Sequence, residues 1–360
     1  YSEAIRINPQ FAHAYIGRAR AHIEMANYDR AVDDCTAAIG INARLIHAFE
    51  VRGAARQQLK DWDKAIEDHN QAIRLKPDHR PSYARRAQAY HGKGNYDQAV
   101  ADSSAAIRLS PTHSGGYAGR AAAHLKLENY AQVIQDYRHA LSIKPTQRLY
   151  WQRLFDAEVA RGTSTEGIQA VASEAEAALG STGLLIQHAT WLLLSNQRGE
   201  YEKVCRKALT QFAGSTIPEE LLRVARAAAL TNEPPLNTAQ LVEMARRARR
   251  IEANRNPWTQ YTLGLCLLRD GQTEAAIEQF RQSLGQDWNY KSLSWLGLAI
   301  GHSADGQSSE AQAWLRKAQE WVQLNPLDPT LPLHPEGRVQ CQLLLQEAER
   351  VLGRTEQEEH

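Results

Sequence analysis

The sequence is poor in sulfur-containing and aromatic residues. Its 360 residues include only four cysteines, two methionines and 7% aromatic residues. The cysteines form no CxxC pair, which argues against a zinc site and favours buried free thiols in a reducing, cytoplasmic setting over disulfides. The formal net charge is +1, and neither half of the chain has the dense basic field typical of nucleic-acid-binding domains. The four cysteines are Cys35, Cys205, Cys266 and Cys341.

Long apolar segments and catalytic signatures are also missing. No stretch of 18 apolar residues occurs, so we predict no membrane insertion. The Gly92-Lys93 pair lacks the first glycine and the Ser/Thr of a phosphate-binding loop. Neither a HExxH pattern nor a kinase HRD or DFG element is present. The basic run at residues 246–250 lies on a predicted helix and indicates a solvated face. We therefore predict no enzyme activity, no cofactor and no metal site.

What the sequence does contain is a 34-residue period over its first 145 residues. An arginine, an aspartate and an aromatic residue each recur four times at this interval. A fixed period in this range predicts a stacked array of repeats, each of which buries its apolar face against its neighbours. The three series are Arg18, Arg52, Arg86 and Arg120; Asp34, Asp68, Asp102 and Asp136; and Tyr15, Phe49, Tyr83 and Tyr117.

Each repeat unit is predicted to be a pair of helices. In the third unit the first helix should span about 82–92 and the second about 96–109, because apolar residues follow helical spacing there. Gly92 and Gly94 are expected to break the first helix, and Asn95 stands where a helix N-cap is preferred. The equivalent predicted caps in the other units are Asn27, Asp61 and Asn129.

These residues resemble the tetratricopeptide repeat (TPR) family. The resemblance implies an all-α fold, a right-handed superhelix of stacked antiparallel helix pairs. It is strongest over 1–147 and returns at 262–280 and 295–318. Residues 200–352 also look like the carboxy-terminal repeat tract of planctomycete-type multidomain proteins. The residues that carry the family pattern in the third unit are Tyr83, Ala87, Tyr90, Ala99, Ala106 and Pro111.

The decay of the period predicts four regions. Residues 1–147 should form a regular array of one partial and four full repeats, since the first residues align with the end of a second helix. Residues 148–256 should form degenerate helix pairs and 257–324 two further repeats. Residues 325–360 are expected to form a Pro-rich loop, a capping helix over about 337–352 and an acidic tail.

The arginine and aspartate series are separated by 16 residues within each unit, from the first helix to the second. A helix hairpin can bring such positions together, so we predict a structural ladder of ion pairs. A functional role for these residues and the absence of direct contact are the alternatives.

The family resemblance implies that an extended partner segment binds in the concave groove formed by the first helices. Chaperone-tail binding is excluded, because only Arg85 matches the carboxylate clamp of those domains. Arg20, Arg85 and Arg153 should favour acidic groups on the partner. The candidate groove residues are His13, Arg20, Glu24, His47, Glu50, Gln58, Arg85, Gln88 and Arg153.

The leading hypothesis is a non-catalytic protein–protein interaction scaffold with a protein or peptide partner. The alternative is a regulatory or docking tract of a larger enzyme such as a serine/threonine kinase. RNA binding by a helical repeat is a third hypothesis, but the groove positions vary too much for a regular base-reading code. The sequence leaves the partner's identity and the oligomeric state open.

Overall fold

The structure is a computed structural model in which helices alone form the regular secondary structure of the described residues. The prediction of an all-α stack of helix pairs is confirmed. Contacts divide the chain into two compact units, Tyr1–Thr163 (unit 1) and Ser164–His360 (unit 2). The structure describes residues 1–179, 182, 184–252, 256–285, 288, 290–324 and 335–358.

Unit 1 contains a short leading helix, four regular helix pairs and one further first helix. Consecutive helices pack against each other throughout these pairs. The predicted second helix of the third unit, residues 96–109, has the same bounds in the structure. The helices are α1 (Ser2–Ile7), α2 (Ala12–Glu24), α3 (Tyr28–Ile41), α4 (Ile46–Gln58), α5 (Trp62–Leu75), α6 (Arg80–Lys93), α7 (Tyr96–Leu109), α8 (Ser114–Lys126), α9 (Tyr130–Ile143) and α10 (Arg148–Ala160).

The turn inside each pair is made by the backbone rather than by the predicted side-chain caps. Asn27, Asp61, Asn95 and Asn129 do stand at the N-cap positions, but none of them forms a side-chain cap hydrogen bond. Instead, the residue before each cap has a positive φ, and the cap's own N–H donates to a carbonyl five residues back, as in Asn27 to His22 at 2.8 Å. The residues with positive φ are Ala26, Lys60, Gly94 and Glu128.

Glycine in unit 1 also makes room for large side chains. A Cβ on Gly53 would lie 2.6 Å from the His69 ring, and one on Gly92 would lie 2.7 Å from the Trp62 ring. Gly92 was predicted to break α6, but it lies within that helix and accommodates Trp62 of the preceding repeat. Only Gly94 ends the helix, because its left-handed backbone is the turn.

In the residues that the structure describes, unit 2 consists of four helix pairs, the preceding helix α11 and a long final helix. Its buried core includes the large side chains of Tyr201, Tyr261 and Phe280. Phe280 packs against Gly264 and Gly297, where added Cβ atoms would come within 2.8 and 2.5 Å of its ring. The helices are α11 (Thr165–Leu179), α12 (Leu185–Leu194), α13 (Arg198–Phe212), α14 (Pro218–Ala228), α15 (Thr238–Ile251), α16 (Pro257–Arg269), α17 (Thr273–Leu284), α18 (Lys291–Ala304), α19 (Ser308–Leu324) and α20 (Pro335–Glu358).

The final helix, α20, is longer than predicted and does more than cover the last pair. It packs on α18 and α19, and also on α12, which precedes it by about 150 residues. The predicted Pro-rich stretch falls on residues 325–334, which lie outside the described residues. A search of the helices in the described part of the chain finds none that is long and apolar enough to cross a membrane.

Candidate functional site

The two charged series of unit 1 meet in every regular repeat. The guanidinium donates two hydrogen bonds to the carboxylate, through Nε and Nη2. The aspartates are almost fully buried and the arginines are more exposed. The shortest separations are 2.6 Å for Arg18–Asp34, 2.7 Å for Arg52–Asp68, 2.7 Å for Arg86–Asp102 and 2.6 Å for Arg120–Asp136.

Each arginine also reaches back to the preceding second helix. Its Nη1 donates to a polar side chain 16 residues earlier, so one guanidinium joins three consecutive helices. In addition, its charge lies over the aromatic ring three residues before it, with centroid distances from 5.5 to 5.9 Å. The acceptors are Ser2 at 3.3 Å, Thr36 at 3.0 Å, Asn70 at 2.6 Å and Ser104 at 3.1 Å.

These acceptors were missed in the sequence, although they follow the same 34-residue period. The signal was available, since all four are small polar residues at one repeat position. The next member of that series is Arg138, and the next member of the arginine series is the fully buried Leu154. Arg138 lies 3.5 Å from Glu158, which also pairs with Arg161 at 2.8 Å. The Arg–Asp ladder therefore ends at α10, where Leu154 replaces the arginine and Glu158 pairs with Arg138 and Arg161.

Unit 1 contains a cavity of about 450 Å³ on the side formed by its first helices α6, α8 and α10. Residues without bulky side chains line its centre on α8, namely Gly115, Ala118, Gly119 and Ala122. Such a lining lets a ligand backbone approach the helix closely. We call this cavity the unit 1 groove.

The two sides of the unit 1 groove differ in chemistry. Gln88 and His91 of α6 line one side, and Leu149, Tyr150 and Arg153 of α10 line the other. Arg153 is partly buried and makes no ion pair or hydrogen bond with the described residues. Burial lowers the pKa of His91, and that shift keeps its ring neutral near pH 7. The groove therefore offers one unpaired cation beside neutral donors and acceptors.

The structure brings only two of the predicted groove residues, Gln88 and Arg153, into this cavity. His47 and Glu50 contact each other at 2.9 Å, and the buried Glu50 is also 3.3 Å from His79. A carboxylate held in this way is a poor ligand for a partner. The remaining predicted residues are exposed on the first helices: His13, Arg20, Glu24, Gln58 and Arg85.

A smaller cavity of about 200 Å³ lies in unit 2, among α11, α12 and α13. Three charged residues line it, and each has a partner: Glu176 pairs with Lys207 at 2.8 Å, and Glu200 pairs with Lys203 at 2.7 Å. Burial lowers the pKa of His188 in its wall to about 4. With its charges paired and its histidine neutral, this cavity offers less to a charged partner than the unit 1 groove does.

No group of three His, Cys, Asp or Glu side chains is arranged to hold a metal ion in the part of the chain that the structure describes. All four cysteines are buried thiols. Burial raises the pKa of Cys35, Cys205 and Cys266 to about 12 and that of Cys341 to about 11. Thiols with such pKa values are protonated at neutral pH and are poor nucleophiles.

Comparison with known proteins agrees with this architecture. Residues 12–44, 81–113 and 115–147 match the tetratricopeptide repeat family. No curated protein sequence matches the chain.

Several solved structures resemble parts of the chain at low sequence identity. PilF of Pseudomonas aeruginosa is 15% identical, with a TM-score of 0.45 over 57% of this chain and 93% of that one. MamA from Desulfovibrio magneticus RS-1 is 16% identical, with a TM-score of 0.41 over 45% and 90%. YrrB, a TPR protein with an unusual peptide-binding site, is 12% identical, with a TM-score of 0.41 over 49% and 91%.

The strict 34-residue period and the three matched segments both lie in unit 1. Unit 1 is therefore an array of tetratricopeptide repeats.

Proposed function

We propose that unit 1 is a non-catalytic binding module that takes an extended, acidic protein segment into the unit 1 groove. The observation that carries this proposal is Arg153, a partly buried cation without a partner, beside a floor of glycine and alanine. A partly buried charge without a partner has lost some of its hydration, and a carboxylate supplied by a ligand would offset that loss.

The form of the groove favours an extended segment over a helix. The small residues of α8 allow a ligand backbone to lie close to the helix, and Gln88 can hydrogen-bond to a peptide unit. Exposed arginines continue along the first helices at Arg20 and Arg85. Residues 1–150 hold 21 Lys and Arg against 15 Asp and Glu, a net charge of +6. An acidic segment would therefore also be attracted over a longer range.

The test is selection of random displayed peptides on the full chain, because it makes no assumption about the partner. We expect the selected peptides to be enriched in Asp and Glu. Their affinity should fall about 10- to 100-fold in Arg153→Gln, which corresponds to the roughly 1.5–3 kcal/mol of a hydrogen bond to a charged group. Gln88→Ala and Arg85→Ala should give smaller losses.

Arg108→Gln is the matched control, since Arg108 is an exposed arginine on the second helix α7. It should leave affinity unchanged, and none of these variants should lower the melting temperature. If the selected peptides are not acidic, or if Arg108→Gln weakens binding as much as Arg153→Gln does, the groove proposal is wrong.

A further inference from the structure

The chain's own last helix contacts first helices of unit 2. In the regular repeats, first helices line the groove, and α12, α16 and α18 are the corresponding helices of unit 2. The final helix packs on the first helices α12 and α18 and also on the second helix α19, and an ion pair from Arg269 ties it to the end of α16. Thus α20 lies where a ligand helix would lie in a repeat array.

The helix α20 is amphipathic, and its buried face packs against unit 2. Its buried residues recur at helical spacing, while Gln342, Gln346 and Glu349 between them are exposed. This spacing is the pattern by which a helix fills a groove. The buried residues of this face are Gln340, Cys341, Leu344, Glu347, Ala348 and Leu352.

One charged contact fixes the register of α20. Both oxygens of Glu347 accept hydrogen bonds from Arg269, at 2.5 and 2.6 Å, and both side chains are almost fully buried. Arg269 is held in place by a further bond to the carbonyl of Ala229 at 3.0 Å. Loss of either partner of a buried ion pair would leave the other charge buried and unpaired, which is costly.

The contact between α20 and the rest of unit 2 also leaves buried polar atoms without hydrogen-bond partners. Both amide atoms of the Gln340 side chain are buried without a hydrogen-bond partner in the described structure. The hydroxyl of Tyr261, on α16, is buried without a partner as well. Burial without a partner disfavours the seated state, so a helix that satisfied these groups would fit the face better than α20 does.

We propose that the concave face of unit 2 is a binding groove for an amphipathic helix that carries a glutamate, and that α20 is its built-in, displaceable occupant. The partner is a helix with small and apolar residues at i, i+3, i+7 and i+11 and a carboxylate at i+6, as in α20 from Cys341 onward. Ten residues separate α19 from α20. Because α20 belongs to the same chain, its binding to unit 2 is intramolecular, and a competing helix must overcome this advantage.

The experiment uses the full chain and measures the displacement of α20 by the rate at which two of the chain's cysteines are modified. Cys341 is buried only while α20 is seated, whereas Cys266 lies in the core on α16. Iodoacetamide modification at pH 8, with mass spectrometry of each site, gives the two rates in one sample. We expect Cys341 to be modified at least 10-fold faster than Cys266, because α20 can open without unfolding of the pairs.

The probe is a synthetic peptide of residues 335–358 in which Cys341 is replaced by serine. Added in excess, it should raise the modification rate of Cys341 several-fold and leave the rate of Cys266 unchanged. A peptide with Glu347→Gln should be at least 10-fold less potent. The matched control is Glu349→Gln, since Glu349 is exposed and contacts only the Gln319 side chain, and it should be as potent as the parent peptide.

Two results would overturn the proposal. If Cys341 and Cys266 are modified at the same rate with or without peptide, α20 leaves only on global unfolding and is a permanent core helix. If the peptide accelerates both sites together, it unfolds unit 2 instead of replacing α20. Either result leaves the unit 1 groove untouched, because that proposal depends on residues of unit 1 alone.

Discussion

The Arg86–Asp102 pair allows the energetic role of the ladder to be measured. Arg86 donates to both carboxylate oxygens of Asp102 at 2.7 Å and to Asn70 at 2.6 Å. Replacement by alanine would leave the buried carboxylate of Asp102 without its cation. Breaking a buried pair from one side costs about 3–5 kcal/mol, which is a large fraction of the stability of a domain. We therefore expect Arg86→Ala to destabilise α6 and α7 severely.

The second repeat provides an internal comparison. Asp68 is held by two arginines, Arg52 at 2.7 Å and Arg56 at 2.8 Å. After Arg52→Ala the Asp68 carboxylate keeps one cation, so the loss should be closer to the roughly 1.5–3 kcal/mol of a charged hydrogen bond. The structure thus predicts that Arg86→Ala costs more than Arg52→Ala, although the two residues occupy the same repeat position.

Hydrogen exchange with mass spectrometry is the suitable assay, since a repeat array need not unfold in one step. It reports the free energy of opening separately for α6–α7 and for α4–α5 within the full chain. A double-mutant cycle with Asp102→Ala should give a coupling of about 1.5–3 kcal/mol. An equal or larger loss for Arg52→Ala, or a coupling near zero, would refute the view that the ladder stabilises through buried charge.

Two further predictions concern the buried contact between Gly53 and His69. Burial lowers the pKa of His69 to about 3. Below pH 6.5 the unfolded state therefore binds more protons than the folded state. The free energy of unfolding should fall by up to about 1.4 kcal/mol per pH unit as the pH decreases towards 3. Thermal melts of His69→Ser should show a weaker dependence on pH. Gly53→Ala should lower the melting temperature despite its higher helix propensity, because its Cβ would lie 2.6 Å from the ring, and adding His69→Ser should reverse the loss.

The strict period explains why so much of unit 1 could be predicted from sequence. Identical spacing in four units predicts the helix pairs and brings Arg86 opposite Asp102 without further information. The turns were predicted less well. Their positive φ falls on Ala26, Lys60 and Glu128 in three of the four units, and none of these residue types signals a left-handed backbone. The local sequence therefore predicts where the turn lies but not which residue adopts its left-handed backbone conformation.

The groove illustrates a different limit. Its first-helix surface follows from helical periodicity, and so Gln88 and Arg153 could be named as candidates. Which part of that surface forms a cavity depends on how little volume Gly115 and Ala118 fill between α6 and α10. Likewise, Glu50 was predicted to face a partner, but His79, of the next repeat, lies close enough to pair with it. The position of the cavity and the pairing of Glu50 both depend on contacts between repeats, which the sequence of a single repeat does not predict.

The residues on the first helices explain why the unit 1 groove is open while the first helices of unit 2 are covered by α20. The fifth residue of the first helix is Ala84 in α6 and Ala118 in α8, whereas the fifth residue of α16 is Tyr261. Small residues leave a groove that water can fill at little cost. Tyr261 is fully buried and packs against Trp258, Phe280 and Trp288. Such a surface requires an apolar cover, because exposed apolar area costs about 25 cal/mol per Å². The face with small residues is therefore open and the apolar face is occupied by α20. Since the same apolar area would attract any amphipathic helix, a partner of unit 2 must compete with α20, whereas a partner of unit 1 has only water to displace.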